Sequence, residues 1–165
     1  MINEKSIYDL NPQEFEKLVA DLLSATGYSD LQLVGYGSIG IHIIGKLHNK
    51  PVAIQVTHKL HLKPEEIEQF VQEYFSKAST PRSLIFVTSA DISSTEINIR
   101  PQLLPNQEFR LLSRKDILQI ITAHPDIASR FFKVAQKRSS WLKMQLFFGI
   151  AEPSFHLFLS VILHI

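Results

Sequence analysis

Apolar residues recur along this chain with two periods, and each change of period marks a new element. Phe15, Leu18, Val19, Leu22 and Leu23 fall three and four apart, the spacing of one helix face. Asn11-Pro12-Gln13-Glu14 precedes them with a capping side chain, a proline at the first helical position and an acid placed to close a capping box, and Gly27 stops the helix. Ile67, Phe70, Val71, Tyr74 and Phe75 repeat the spacing after Pro64, and a third such run, Ile117, Leu118, Ile120 and Ile121, follows the cap-like Ser113-Arg114-Lys115-Asp116. Between these helices the period is two. Val52, Ile54 and Val56 share one face of a strand and Ala53, Gln55, Thr57 and Lys59 the other; Ile39, Ile41 and Ile43 oppose Gly40, His42 and Ile44 in the strand before it. His48-Asn49-Lys50 supplies the turn, and Pro51 opens the second strand where a missing N–H costs least. The pattern predicts a central hairpin over residues 35–59 that brings His42 near Gln55 and Thr57.

Leu31 to Tyr36 reads as a strand entering a glycine turn, Ser83 to Thr88 as a strand covered on both sides, Ser89 to Arg100 as a short helix closed by Pro101, and Glu108 to Leu112 as a last strand. Helices interspersed with strands in this order predict an α/β fold, a mixed sheet flanked by helices, with a right-handed crossover after the hairpin. The domain is expected over residues 1–125, followed by a tail over 126–165. Ile127 to Arg138 reads as a helix bearing Arg130, Lys133, Lys137 and Arg138, and Trp141 to Ile165 is strongly apolar. That apolar, helical C-terminal tail is long enough to cross a bilayer with its positive charges on the cytoplasmic side, but Glu152, Pro153 and His156 interrupt it. Two readings stand: membrane contact through 141–165, or two short helices about Pro153 packed on the domain or on another copy, as in a homo-oligomer.

Composition narrows the chemistry. The 165 residues are 45% hydrophobic and 20% charged, as in an ordinary globular domain. A net charge of +1 supplies no general basic field, so nucleic-acid binding needs a local patch. His48, Lys50, His58, Lys59, His61 and Lys63, around the hairpin, form such a patch or else a solvated rim. The acidic face of the second helix, Glu65, Glu66, Glu68 and Glu73, should repel phosphates. There is no cysteine, which excludes disulfides and thiolate metal sites. The first residues lack a signal-peptide pattern, so the expected location is the cytoplasm, with the tail as a tether to the inner face of a membrane.

The run Phe15-Glu16-Lys17-Leu18-Val19, then Leu22-Leu23, Gly27-Tyr28, the glycine-rich Gly37-Ser38-Ile39-Gly40-Ile41-His42-Ile43-Ile44, and Ile54-Gln55-Val56-Thr57-His58 resembles the Mrr-type restriction endonuclease domain of the PD-(D/E)xK nuclease superfamily. The likeness spans most of residues 8 to 122 and implies a restriction-endonuclease-like fold. It also implies DNA as partner, Mg²⁺ as cofactor and phosphodiester hydrolysis as activity. In such a site, carboxylate and carbonyl oxygens hold the ion, and a lysine helps to activate water and offset developing charge. By the same resemblance, Glu16 matches the helix acid and Gln55 the glutamine of a Gln-x-Lys motif. His42 stands where the metal-binding aspartate is expected, and Thr57 where the lysine is expected. Lys59 faces the same side as Thr57 but lies about 6–7 Å farther along the strand.

Three functions follow from these residues. The first is a nuclease-like domain that binds nucleic acid with lost or impaired hydrolysis. The second is an active DNA endonuclease whose remodelled site uses Mn²⁺ through Glu16, His42 and the backbone near Gln55. The third is a non-catalytic membrane-tethered or interaction module.

Overall fold

The computed structural model describes residues 4–35, 40–77, 81–98 and 103–132. Two helices open it, α1 (Glu4–Tyr8) and α2 (Pro12–Ala25), followed by strands β1 (Tyr28–Leu33), β2 (Ile43–Leu47) and β3 (Lys50–Thr57). Helix α3 (Pro64–Lys77), strands β4 (Ser83–Thr88) and β5 (Glu108–Leu112) and helix α4 (Arg114–Ala123) follow, with a helical stretch over residues 125–132 after them. The strands form one sheet in the order β1-β2-β3-β4-β5. The first two pairings are antiparallel and the last two parallel, so α3 carries the crossover from β3 to β4.

The mixed sheet flanked by helices is the architecture the periodicities predict, and the alternation along β3 decides its layers. Val52, Ile54 and Val56 pack beneath α2 and α4 with Phe15, Leu18, Leu22, Ile85 and Ile117. Ala53 packs on the opposite side beneath α3 with Ile67, Val71, Leu84 and Phe86. Each aliphatic side chain buried in these layers stabilises the fold by about 1.5–3 kcal/mol relative to exposure. Tyr74 of α3 is buried as well; its hydroxyl donates to the Pro81 carbonyl at 2.7 Å, and burial pushes the phenol up to about 12.

Several boundaries differ from the sequence expectation. The hairpin is shorter at its entry: β2 begins only at Ile43, and Gly40, at φ +71°, with Ile41 and His42 approaches from outside the strand. Strict alternation therefore does not hold there, and Ile41 packs on the α3 side while Ile43 packs on the α2 side. The first strand starts at Tyr28 rather than Leu31, because Gly27, at φ +97°, turns the chain straight from α2 into pairing with β2. The described part of the segment read as a helix, Ser89 to Asn98, does not form an α-helix; its regular structure is one 3-10 turn, Ser94–Glu96, opened by a Ser93 capping box. Helix α1, which the apolar pattern did not announce, buries Ile7 in the α2-side core with Leu10 after it. Past residue 125 the chain keeps feeding that core through Ile127, Ala128 and Phe132. The apolar tail over 141–165 lies outside the described residues, and among the described residues no helix is long and apolar enough to cross a membrane.

Gly45 of β2 lies tight against β1. A Cβ there would lie 2.5 Å from Leu31 Cδ2 and 3.1 Å from the Ser29 carbonyl oxygen, so Gly45→Ala should cost about 1–3 kcal/mol through overpacking, read as a lower urea midpoint with an unchanged m-value.

Candidate functional site

Helix α2 carries the acid of the site. Asn11 Oδ1 accepts from the Glu14 N–H at 2.9 Å while Glu14 Oε2 accepts from the Asn11 N–H at 3.0 Å, a reciprocal cap that fixes where the helix begins. Phe15 and Leu18 then point into the core, which turns Glu16 to the margin of the buried face and towards the entry of the hairpin. His42 waits there. Its backbone is pinned on both sides: its N–H donates to the Ile54 carbonyl at 3.1 Å and its carbonyl accepts from the Val34 N–H at 2.9 Å. Its Nδ1 lies 3.3 Å from Glu16 Oε1, with the side chains 8% and 19% exposed, a contact that is an ion pair whenever the imidazole carries its second proton. The approach is not aligned as a good hydrogen bond.

Gln55 and Thr57 leave β3 two residues apart and so share the α3 side of the sheet. Gln55 Nε2 donates to Thr57 Oγ1 at 3.4 Å, while Gln55 Oε1 is buried with no hydrogen-bond partner. Gly40 lies against this amide: a Cβ added there would be 3.8 Å from Gln55 Oε1 and 3.3 Å from the Phe70 ring. The structure thus joins Glu16 with His42 and Gln55 with Thr57. The His42 backbone lies beside Ile54, one residue from Gln55.

The six basic residues of the hairpin do not make one patch. His48 and Lys50 are exposed at the β2–β3 turn, where His48 at φ +49° and Asn49 at φ +64° adopt the left-handed backbone of a two-residue hairpin turn. From Lys50 to Thr57 the chain is extended, which at ordinary strand rise separates that turn from the far end of β3 by about 23 Å. Beyond that end His58 turns inward. Its Nε2 lies 2.9 Å from the Leu10 carbonyl and its ring stacks on Phe15 at 4.7 Å and Tyr8 at 6.4 Å between centroids. Burial holds its pKa below the ordinary value of 6.5, against the opposing effect of the Leu10 bond. Lys59 reaches Glu66 of α3, with Nζ 3.5 Å from Oε1. His61 and Lys63 are exposed on the same loop, and the Lys63 N–H donates to Glu66 Oε2 at 3.0 Å, capping α3. One cluster was read from sequence only as a helix cap: Arg114 contacts the Tyr8 hydroxyl, lies over the Tyr8 ring at 5.4 Å and pairs with Asp91 at 3.0 Å. Its sequence signal is a single arginine at the start of α4, 106 residues from Tyr8.

Comparison with known proteins places this arrangement. The model of the restriction endonuclease family Mrr_cat matches residues 7–121, from α1 through α4. The chain belongs to this family. Among solved structures, this Mrr-type domain is similar to the DNA modification-dependent restriction endonuclease AspBHI, with TM-score 0.54 and 13% identity over 82% of this chain and 39% of that one. MspJI restriction endonuclease in complex with a 27-mer oligonucleotide matches with TM-score 0.47 and 16% identity over 69% of this chain and 28% of that one. At such identities the likeness to AspBHI is one of fold, and the Mrr-type chain spans less than half the length of either protein. Comparison with curated proteins gives no match.

Mrr-type nucleases are typically metal-dependent, and the residues at the site can be tested against that need. Mg²⁺ takes hard oxygen ligands in near-octahedral geometry. Here the donors are one carboxylate, Glu16, and one amide oxygen, Gln55 Oε1, with the His42 imidazole against the carboxylate and a threonine hydroxyl in place of an ammonium. Among the described residues no three His, Asp or Glu side chains converge as ligands. Among the described side chains the donor set does not fit Mg²⁺.

Proposed function

We propose that this Mrr-type domain binds nucleic acid on a nuclease fold without hydrolysing it. The observation that carries this reading is the Glu16–His42 contact at 3.3 Å. In a metal-assisted hydrolysis, carboxylate oxygens hold the ion that polarises the phosphate, and a lysine offsets the developing charge. An imidazole set against Glu16 replaces the second carboxylate, and the Thr57 hydroxyl, held by the Gln55 amide, brings no positive charge. What persists is the scaffold and an exposed loop with His61 and Lys63 beside Lys59, the group best placed to meet a phosphate backbone near this end of β3.

The test uses the purified full chain on plasmid and on a short duplex. Binding should fall as salt rises, and Lys63→Ala should lower the slope of log K against log salt by about 0.9, the share of one phosphate contact. Plasmid should stay intact in Mg²⁺, in Mn²⁺ and in EDTA. Metal-dependent cutting that disappears in Glu16→Gln would overturn the proposal in favour of an active enzyme with a remodelled site. Absence of binding even at low salt would overturn it in favour of a non-catalytic interaction module.

A further inference from the structure

His58 takes no part in the proposed site, yet it is the residue on which the N-terminal helix closes. Because the Leu10 carbonyl can only accept, the 2.9 Å contact requires Nε2 to carry the proton. In the neutral ring, Nδ1 then bears a lone pair, and that atom is buried with no hydrogen-bond partner. A second proton would have to sit there, facing nothing that can accept it. The ring is half-buried between α1 and α2 against Tyr8 and Phe15, so a charge on it would also lose solvation.

Among the described residues no charged group contributes a shift that favours the protonated form. The titratable and charged groups close in the chain to its contacts include Tyr8 and Asp9 at the end of α1, Glu14 and Glu16 on α2, Lys59 next along the chain, and Arg114 on α4 with Asp91. Glu14 caps the Asn11 N–H, Glu16 meets His42, Asp91 meets Arg114, Lys59 meets Glu66, and Asp9 is exposed. Arg114 already lies over the Tyr8 ring, so Tyr8 is in contact with a guanidinium as well as with His58. Tyr8 in turn donates to the Ser89 carbonyl at 3.0 Å, just past β4. Leu10, Tyr8, His58 and Ser89 thus join α1 to the ends of β3 and β4, immediately before the Asn11 cap of the helix that carries Glu16.

We propose that His58 is a proton-operated latch: neutral, it clamps α1 and the start of α2 to the ends of β3 and β4, and protonated, it releases them. The sign follows from linkage. Since burial lowers the folded-state pKa of this histidine, the unfolded or undocked chain takes up the proton first; the stabilisation is complete above about pH 6.5 and is lost as pH falls through the ordinary value towards the folded one.

Amide hydrogen exchange on the full chain tests the latch. Between about pH 7.5 and about pH 5.5, after correction for intrinsic exchange chemistry, protection of the α1 amides should fall about fivefold while that of β3 and β4 holds. In His58→Phe, which keeps a stacking ring but neither titrates nor donates, the selective pH dependence of α1 should vanish. Persistence of that dependence in the variant, or pH-independent protection of α1 in the native chain, overturns the proposal. Should His58→Phe fail to fold, NMR titration of His58 in the native chain decides: a folded-state pKa at or above the ordinary value overturns the latch, and one below it supports it.

Discussion

If the native chain binds without cutting, as proposed, His42→Asp combined with Thr57→Lys should yield a variant that nicks plasmid in Mg²⁺ and stops in EDTA. The argument begins with Glu16, whose carboxylate already lies at the site. Replacing the imidazole 3.3 Å away with a second carboxylate sets like charges together, an arrangement that repels without a cation and binds one when it is offered. The lysine at 57 supplies the ammonium that threonine lacks, on the face that already holds Gln55. Binding can be read apart from cutting: His42→Asp alone should be less stable than the native chain in EDTA and should gain about 2.7 kcal/mol when Mg²⁺ reaches a hundred times its dissociation constant, whereas the native chain should gain little. A double variant that takes up metal but does not cut would show that more than two positions separate this chain from a working nuclease. One that takes up no metal would show that the Glu16 carboxylate is not where the ion must sit.

Phe15→Ala should be the most destabilising of the single truncations near the site, at about 3–5 kcal/mol, or a fall in Tm of roughly 10–15 °C. Phe15 is fully buried in the α2-side core and its ring is the nearer of the two that stack on His58. Its loss removes core contacts, leaves a cavity and unseats the His58 ring together. The first turn of α2, and with it Glu16, depends on that packing. Leu104→Ala, at a side chain 57% exposed, should stay within about 0.5 kcal/mol, so urea unfolding of the two variants separates core burial from mere loss of apolar volume. Equal effects would contradict the layer assignment of α2.

The elements legible in the chain are those whose information is local. The capping box at Asn11 and Glu14, the three-four spacing of α2 and α3, and the alternation along β3 each specify their element within a few residues, and the structure builds all of them. Where the apolar signal is thin the reading slips. Ser89 to Arg100 is mostly polar, with Ile92, Ile97 and Ile99 as its large apolar residues, and its described part forms one 3-10 turn rather than a helix. Helix α1 has five residues, too short to show a period, and owes its place to Ile7 in the core and to the partners of Tyr8.

By itself the sequence determined the identity of the residues offered at the site: a glutamate on a capped helix, a glutamine and a threonine two apart on one face of a strand, and a histidine where the family resemblance expects aspartate. Composition alone excluded any cysteine chemistry. Tertiary structure decided which of these residues meet. The Glu16–His42 contact joins two elements through the packing of α2 on the sheet, and His58 finds Leu10 from 48 residues away. Local periodicity sets which face a side chain occupies, but not which distant helix covers that face or where the ladder starts. The same reason divides the basic residues of the hairpin. An extended strand carries Lys50 and Lys59 to opposite ends of β3, and only the folded neighbourhood of the second end, with α1, α2 and α3 gathered there, settles that His58 turns inward while His61 and Lys63 face solvent.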